Sequence, residues 1–239
     1  MKIALLGYGK MGKTIERIAL ERGHEIVLKA SSKEDLSLLN DADAAIDFSI
    51  PSAAFENIST CLKKGIPVVS GTTGWLNQYQ EAVDLCLQNE GKFIYASNFS
   101  LGVNLFFNLN EHLAKLMANF PEYKASIDEV HHTQKLDSPS GTAITLAEQV
   151  IKHTSYNKWI HEEVKAKTNE LPIYAERIED VKGIHHVSYN SAIDELKISH
   201  TAHTRDGFAL GAVIAAEWLA KQEKSGVYSM KNVLSQLMA

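Results

Sequence analysis

Residues Gly7-Tyr8-Gly9-Lys10-Met11-Gly12 stand between a short apolar run, Lys2–Leu6, and a segment whose apolar residues Met11, Ile15, Ile18 and Ala19 recur at helical spacing. A G-x-G-x-x-G at a strand-to-helix junction is the phosphate-cradling turn of a dinucleotide-binding βαβ unit. Gly7 would allow the tight turn, Gly9 the close approach of backbone to a pyrophosphate, and Gly12 the packing of helix on strand. The amides at the helix start would hold the phosphates. Without its flanks the same hexapeptide would read as a plain strand-to-helix turn.

The flanks continue the pattern. Glu25–Lys29, Ala44–Phe48, Pro67–Ser70 and Phe93–Ala96 read as further strands, separated by helices beginning at Pro51 and near Gln78. Strands alternating with helices predict a Rossmann-type parallel sheet with helices on both faces, because right-handed crossovers join parallel neighbours. After Ser100 the character changes. Leu101–Phe120 reads as a long apolar helix, Tyr123–Val130 as an extended stretch with only a loose period of two, and residues 141–153 as a helix. Ile184–Tyr189 and Glu195–Ala202 read as strands of a mixed or antiparallel sheet, Phe208–Leu219 as a helix, and the remainder as a polar tail holding one short helix. The expected fold is therefore α/β: residues 1–100 and 205–239 form a dinucleotide-binding domain, with an inserted α+β domain over 101–204.

Composition limits what such a chain can do. With 239 residues, 45% hydrophobic, a core of this size is attainable, and a net charge of −5 argues against a nucleic-acid binder. No apolar stretch approaches the ~20 residues needed to span a bilayer. The opening M-K-I-A-L-L-G-Y-G is too short for a signal peptide. Two cysteines, Cys61 and Cys86, cannot form a disulfide scaffold, so a reducing, cytoplasmic setting is expected.

About 20 residues beyond such a loop, NAD enzymes carry an acid for the ribose diol. Here the segment is Lys29-Ala30-Ser31-Ser32-Lys33, whose lysines and hydroxyls suit a 2′-phosphate and so favour NADPH, with NADH possible. The serines would equally serve a capping box with Glu34 or Asp35. Two more polar turns, Gly71-Thr72-Thr73-Gly74 and Ala96-Ser97-Asn98-Phe99, follow strands and fall at the rim where open parallel sheets bind ligands.

The densest chemistry is Glu129-Val130-His131-His132-Thr133-Gln134-Lys135-Leu136-Asp137-Ser138-Pro139-Ser140-Gly141-Thr142-Ala143. A strand would send His131 and His132 to opposite faces, so a shared site requires the backbone to leave strand geometry there. Pro139 indicates a loop, and Ser140-Gly141-Thr142 a helix start with free amides. Those amides, Lys135 and a histidine would make a pocket for a carboxylate, and an imidazole could donate a proton near neutral pH. Zinc is the competing reading, given His131, His132, His185, His186, His200 and His203, but adjacent histidines rarely point at one ion, and no metal is expected. His185 and His186 read as ordinary strand or surface residues, and Lys135 with Asp137 could form only a solvated turn.

E-V-H-H-T-Q-K-L-D-S-P-S-G-T-A closely resembles the E-x-H-H-x-x-K-x-D-x-P-S-G-T-A signature of the dihydrodipicolinate (4-hydroxy-tetrahydrodipicolinate) reductase family. The likeness extends to I-D-F-S at Ile46–Ser49, G-T-T-G at Gly71–Gly74, A-S-N-F-S-L-G-V-N at Ala96–Asn104 and H-T-A-H-T-R-D-G-F-A-L-G-A-V at His200–Val213. The resemblance implies a lysine-pathway enzyme of diaminopimelate biosynthesis that reduces (2S,4S)-4-hydroxy-tetrahydrodipicolinate with NADPH or NADH and loses water. It implies His131 and Lys135 as proton donors, and His132, Ser140, Gly141 and Thr142 as substrate contacts. Gly7–Gly12, Gly71–Thr73 and Ala96–Phe99 would hold the dinucleotide, Arg205 and Phe208 would occupy hinge and cofactor-proximal positions, and the inserted sheet would build a homotetramer. Cofactor and substrate would then sit on different domains, so closure is expected. The chain departs from the family in being about thirty residues shorter, mainly between the second and third strands. Its glycine loop is also one residue tighter than G-x-x-G-x-x-G. Two alternatives stand beside this reading: another two-domain NAD(P) dehydrogenase, and a non-catalytic dinucleotide-sensing module with a protein partner.

Overall fold

A computed structural model of the 239-residue chain describes residues 1–31, 34–161, 167–204 and 206–237. The chain forms two compact units, Met1–Leu101 with Asp206–Ala239, and Gly102–Arg205.

The first unit begins with β1 (Lys2–Leu6), α1 (Lys10–Glu21), β2 (Glu25–Ala30), a 3-10 turn at Glu34–Asp41, and β3 (Ala44–Asp47). It continues through α2 (Pro51–Lys63), β4 (Val68–Ser70), a 3-10 turn at Leu76–Gln78, α3 (Tyr79–Gln88) and β5 (Lys92–Tyr95). The strands are too apolar to alternate in polarity, as expected when both faces are covered. Ile3 and Leu5 join one core with Ile15 and Ile18 of α1, while Ala4 and Leu6 join the other with Ile58 and Leu62 of α2. Cys61 and Cys86 are buried there as free thiols, and burial pushes both up in pKa, Cys86 to about 11.

The second unit follows the start of α4 (Leu101–Met117) and contains β6 (Lys124–His131), α5 (Gly141–His153), β7 (Lys158–His161), β8 (Glu170–Arg177), β9 (Ile184–Asn190) and β10 (Glu195–Thr201). Its sheet runs β10-β9-β6-β8-β7, antiparallel across the first three strands and parallel across the last three. Leu113 of α4 and Leu146 of α5 share one core with Ile127, Ile173 and Val187, so both helices lie on one face of the sheet. The strands β7 and β8 lie in a stretch without strand signals in the sequence, and Pro172 inside β8 is the reason that run does not read as a strand.

The chain then returns to the first unit with α6 (Asp206–Ala220), β11 (Gly226–Tyr228) and α7 (Met230–Leu237). The expected polar tail thus holds a strand besides its helix. Three residues, Gly226–Tyr228, pair in parallel with Lys92–Ile94 and complete a six-stranded parallel sheet in the order β11-β5-β4-β3-β1-β2. Ala212, Val213 and Leu219 of α6 and Val233 of α7 are buried in the core that Ile3 and Leu5 face.

Candidate active site

Gly7 takes a left-handed backbone (φ +94°), and a Cβ there would lie 2.3 Å from the Phe48 carbonyl oxygen. A Cβ on Gly12 would stand 2.3 Å from the Gly7 carbonyl, so strand and helix meet in a contact only glycine permits. Gly9 is different: it faces open space, and as the residue preceding α1 it leaves the first helical amides without a side-chain cap. That is the cradle a pyrophosphate fits. Beside it lies a pocket of about 580 Å³ lined by Gly7, Tyr8, Gly9, Ala30, Ser31 and Phe48 among others. Lys10 is exposed and Met11 packs partly on the core. Lys29 lies on the α1 side of β2, its ammonium paired with Glu16 and 5.2 Å from the Tyr8 ring centroid. Lys33 lies outside the described residues.

The two other rim turns divide their residues between core and surface. Thr72 is 5% exposed, and its hydroxyl donates to Asp47 at 2.7 Å while accepting from the Ser49 amide. Asp47 also accepts from Ser49, Asn57 and Ser70, which explains the I-D-F-S motif as a buried hub joining β3, β4 and α2. Thr72 therefore offers its side chain to the core and only its backbone to a ligand, whereas Thr73 is exposed and Gly71 lies over the Phe48 ring. Phe99 is likewise inward-facing: at 1% exposure its ring is core, tilted against Phe48 at 5.9 Å, which leaves its backbone for a ligand. Asn98 uses its side-chain oxygen to accept from the Ser100 amide, and Ser97 is exposed beside half-buried Ala96. Phe208 is half-buried in α6, and Arg205 lies outside the described residues.

In the second unit the histidine segment opens on β6. Its buried positions are Ala125, Ile127, Glu129 and His131, a strict period of two. The sequence showed that period only loosely because the last two inward positions are polar and Val130 belongs to the other face. Register then brings His185 opposite Glu129 and Arg177 opposite His131. Glu129 is 1% exposed; its Oε1 accepts from the Ser140 amide at 3.0 Å and from Arg177 at 3.3 Å. Its Oε2 faces Nδ1 of His131 at 3.4 Å and Nε2 of His185 at 3.7 Å. Burial pushes this carboxyl up, but His185 and the bonds from Ser140 outweigh it and hold it below the usual range. Burial, reinforced by the cations Lys135 and Arg177, lowers His131 to about 4 despite Glu129, so the imidazole is neutral at pH 7.

His185 is thus no ordinary strand histidine; it is 4% exposed and stands edge-on to His131 at 5.0 Å. Glu129, His131 and His185 place ligand atoms within 4.8 Å of one another, yet the carboxylate charge is already matched by Arg177. Neither Arg177 nor His185 was identifiable without strand register, although Glu129 and His131, two apart on a strand, could have been read as facing one way.

His132, past the strand end, lines a pocket of about 250 Å³ with Thr133, Gln134, Glu179, Asp180 and Lys182. Lys135 holds both oxygens of Asp137 at 2.8 Å, and Arg177 ties that loop down by donating to the Asp137 carbonyl at 2.6 Å. Ser140 departs from the free-amide expectation. It is 2% exposed, gives its amide to Glu129, caps Ala143 with its hydroxyl, and sits 3.3 Å from His185. Gly141, with open space around it, and half-buried Thr142 carry the exposed start of α5.

Residues 1–99 match the family described as "Dihydrodipicolinate reductase, N-terminus", and residues 102–234 match "Dihydrodipicolinate reductase, C-terminus". The chain belongs to the dihydrodipicolinate reductase family. It is 55% identical to the 4-hydroxy-tetrahydrodipicolinate reductase of Christiangramia forsetii, across 99% of each chain. It is 34% identical to that of Archaeoglobus fulgidus, covering 98% of this chain and 100% of the relative. A dipicolinate-bound dihydrodipicolinate reductase from Paenisporosarcina sp. TG-14 superposes with a TM-score of 0.78 at 23% identity, covering 96% of this chain and 97% of that one. An amine dehydrogenase from Mycobacterium smegmatis shares the fold at TM-score 0.63 and 10% identity, covering 96% and 95%. Dihydrodipicolinate reductases thus share with this chain both halves of the sequence, whereas that dehydrogenase shares the architecture. Among the described residues no helix is long and apolar enough to cross a membrane.

Proposed function

We propose that the chain is an NAD(P)H-dependent 4-hydroxy-tetrahydrodipicolinate reductase, converting (2S,4S)-4-hydroxy-tetrahydrodipicolinate to tetrahydrodipicolinate with loss of water. The observation that carries it is the convergence, in one strand and the loop leaving it, of a buried imidazole, its carboxylate partner and an ammonium. The bound dinucleotide would supply a hydride; the glycine loop, the uncapped start of α1 and the rim turns would hold it. His131 and Lys135 handle the proton that must meet the electron density the reduction builds up. A neutral imidazole is a weak acid, so arrival of a cyclic dicarboxylate with two negative charges, raising its proton affinity, is what readies it. Lys135 can leave Asp137 for a substrate carboxylate, because a half-exposed ion pair costs little to exchange. The amides of Gly141 and Thr142 at the α5 start, with His132, hold the carboxylates, while Ser140 acts from behind by fixing Glu129.

NADPH is the favoured cofactor, through Lys29 and Ser31, with NADH accepted. The oligomer is a homotetramer built on the second unit's sheet, whose face opposite the helices carries Tyr174 at 41% exposure. The test is an assay of cofactor oxidation at the nicotinamide absorbance band with enzymatically generated substrate, using His131→Gln and Lys135→Ala as controls. Full turnover by the double variant would refute the proton-handling role.

A further inference from the structure

Glu16 has no part in the glycine motif and was not singled out by the sequence, yet it is the hub of a three-residue cluster at the edge of the pocket. From α1 it accepts the Tyr8 hydroxyl and pairs with the Lys29 ammonium, and that ammonium lies 5.2 Å from the Tyr8 ring centroid. Tyr8 lines the pocket; among the described residues lining it there is no charged side chain. The one described cation at the end of β2 is therefore beside the pocket and already neutralised. We infer that Glu16 sets the cofactor preference by competing with a ribose 2′-phosphate for Lys29.

A 2′-phosphate needs a cation, whereas a 2′,3′-diol needs only hydrogen-bond partners. In this cluster Lys29 reaches a phosphate only by giving up Glu16 and the Tyr8 face, so the dianionic phosphate gains less than it would from an unpaired lysine. A 2′,3′-diol makes no demand on the Lys29 charge, so NADH loses nothing when Glu16 occupies it. Bonds from Lys29 and Tyr8 hold Glu16 below the usual carboxylate range, and the pair with Glu16 raises Lys29, so both are charged at neutral pH. Discrimination between the two dinucleotides is thereby held down, and a single charge on α1 is the control.

The inference rests on the reading that the dinucleotide occupies this pocket, and direct binding separates the two. Dissociation constants for NADPH and NADH are measured by nicotinamide fluorescence on the whole protein for the wild type, Glu16→Gln, Glu16→Asp, Lys29→Met and the Glu16→Gln/Lys29→Met pair. Expected is an NADPH affinity about tenfold higher in Glu16→Gln with NADH unchanged, near wild-type values in Glu16→Asp, and loss of the gain once Lys29 is Met. An unchanged NADPH-to-NADH ratio in Glu16→Gln, or a gain that survives Lys29→Met, overturns the role of Glu16 while leaving the pocket intact. Failure of the wild type to bind either dinucleotide overturns the pocket assignment itself.

Discussion

A carboxylate with two imidazoles on one oxygen and a guanidinium on the other fixes what each neighbour can do. Ser140 and Arg177 hold Glu129, whose Oε2 lies 3.4 Å from Nδ1 of His131, so the ring proposed to handle the proton packs against a fixed carboxylate. Glu129→Gln keeps the shape and removes the charge. Expected are a lower kcat and a loss of about 1–3 kcal/mol in urea unfolding. His131→Gln should lower kcat by roughly 10²–10⁴-fold in steady-state assays, with the dinucleotide dissociation constant unmoved. Folded His131 titrates near 4 against 6.5 for the free group, so the unfolded chain binds more protons between those values. Stability therefore falls as the pH drops from about 6.5 to about 4 and levels below. Thermal melts across that range should show the slope in the wild type and a shallower one in His131→Gln. At this scale the sequence was half legible. His131 and Lys135 stand in a motif that names them, but Arg177 and His185 arrive through pairing between distant strands, which no local pattern encodes.

Among the elements, the junction of β1 and α1 was the most legible, because its constraint is local: a tight turn, a close contact and an open face within six residues. Gly12→Ala pushes a methyl to 2.3 Å from a backbone oxygen that cannot retreat, and should cost about 1–3 kcal/mol, read as a lower Tm. Gly9→Ala meets nothing in the protein and should leave Tm alone while weakening dinucleotide binding, read by fluorescence titration. Equal effects on Tm would contradict the division of labour between the two glycines. The least legible elements were β7, β8 and β11: one is interrupted by proline, and the others are only four and three residues long. Their identity comes from the strands beside them. That the side chains of Thr72 and Phe99 fold inward was hidden for a related reason, since a rim turn shows which residues are present but not which way each one points.

For the molecule as a whole, the discontinuous first unit was readable from the change of pattern after Ser100 and the return of an apolar helix near Phe208. What the sequence hid is that the return also completes the sheet. Removing residues 226–239 should leave β5 with an unpaired edge and α6 without its α7 cover, giving aggregation in light scattering in place of a shorter soluble protein. Under the proposed homotetramer, Tyr174→Arg on the sheet face opposite α4 and α5 should lower the particle mass by the same measurement, and an unchanged mass would count against that interface. On the ribosome the consequence is one of timing. With translation at about 5–20 residues per second, β5 emerges on the order of ten seconds before its neighbour. The nascent chain therefore carries a bare hydrogen-bonding edge while the whole inserted unit is still being made, so soluble yield is expected to fall when nascent-chain chaperones are depleted and to stay level if that edge is harmless.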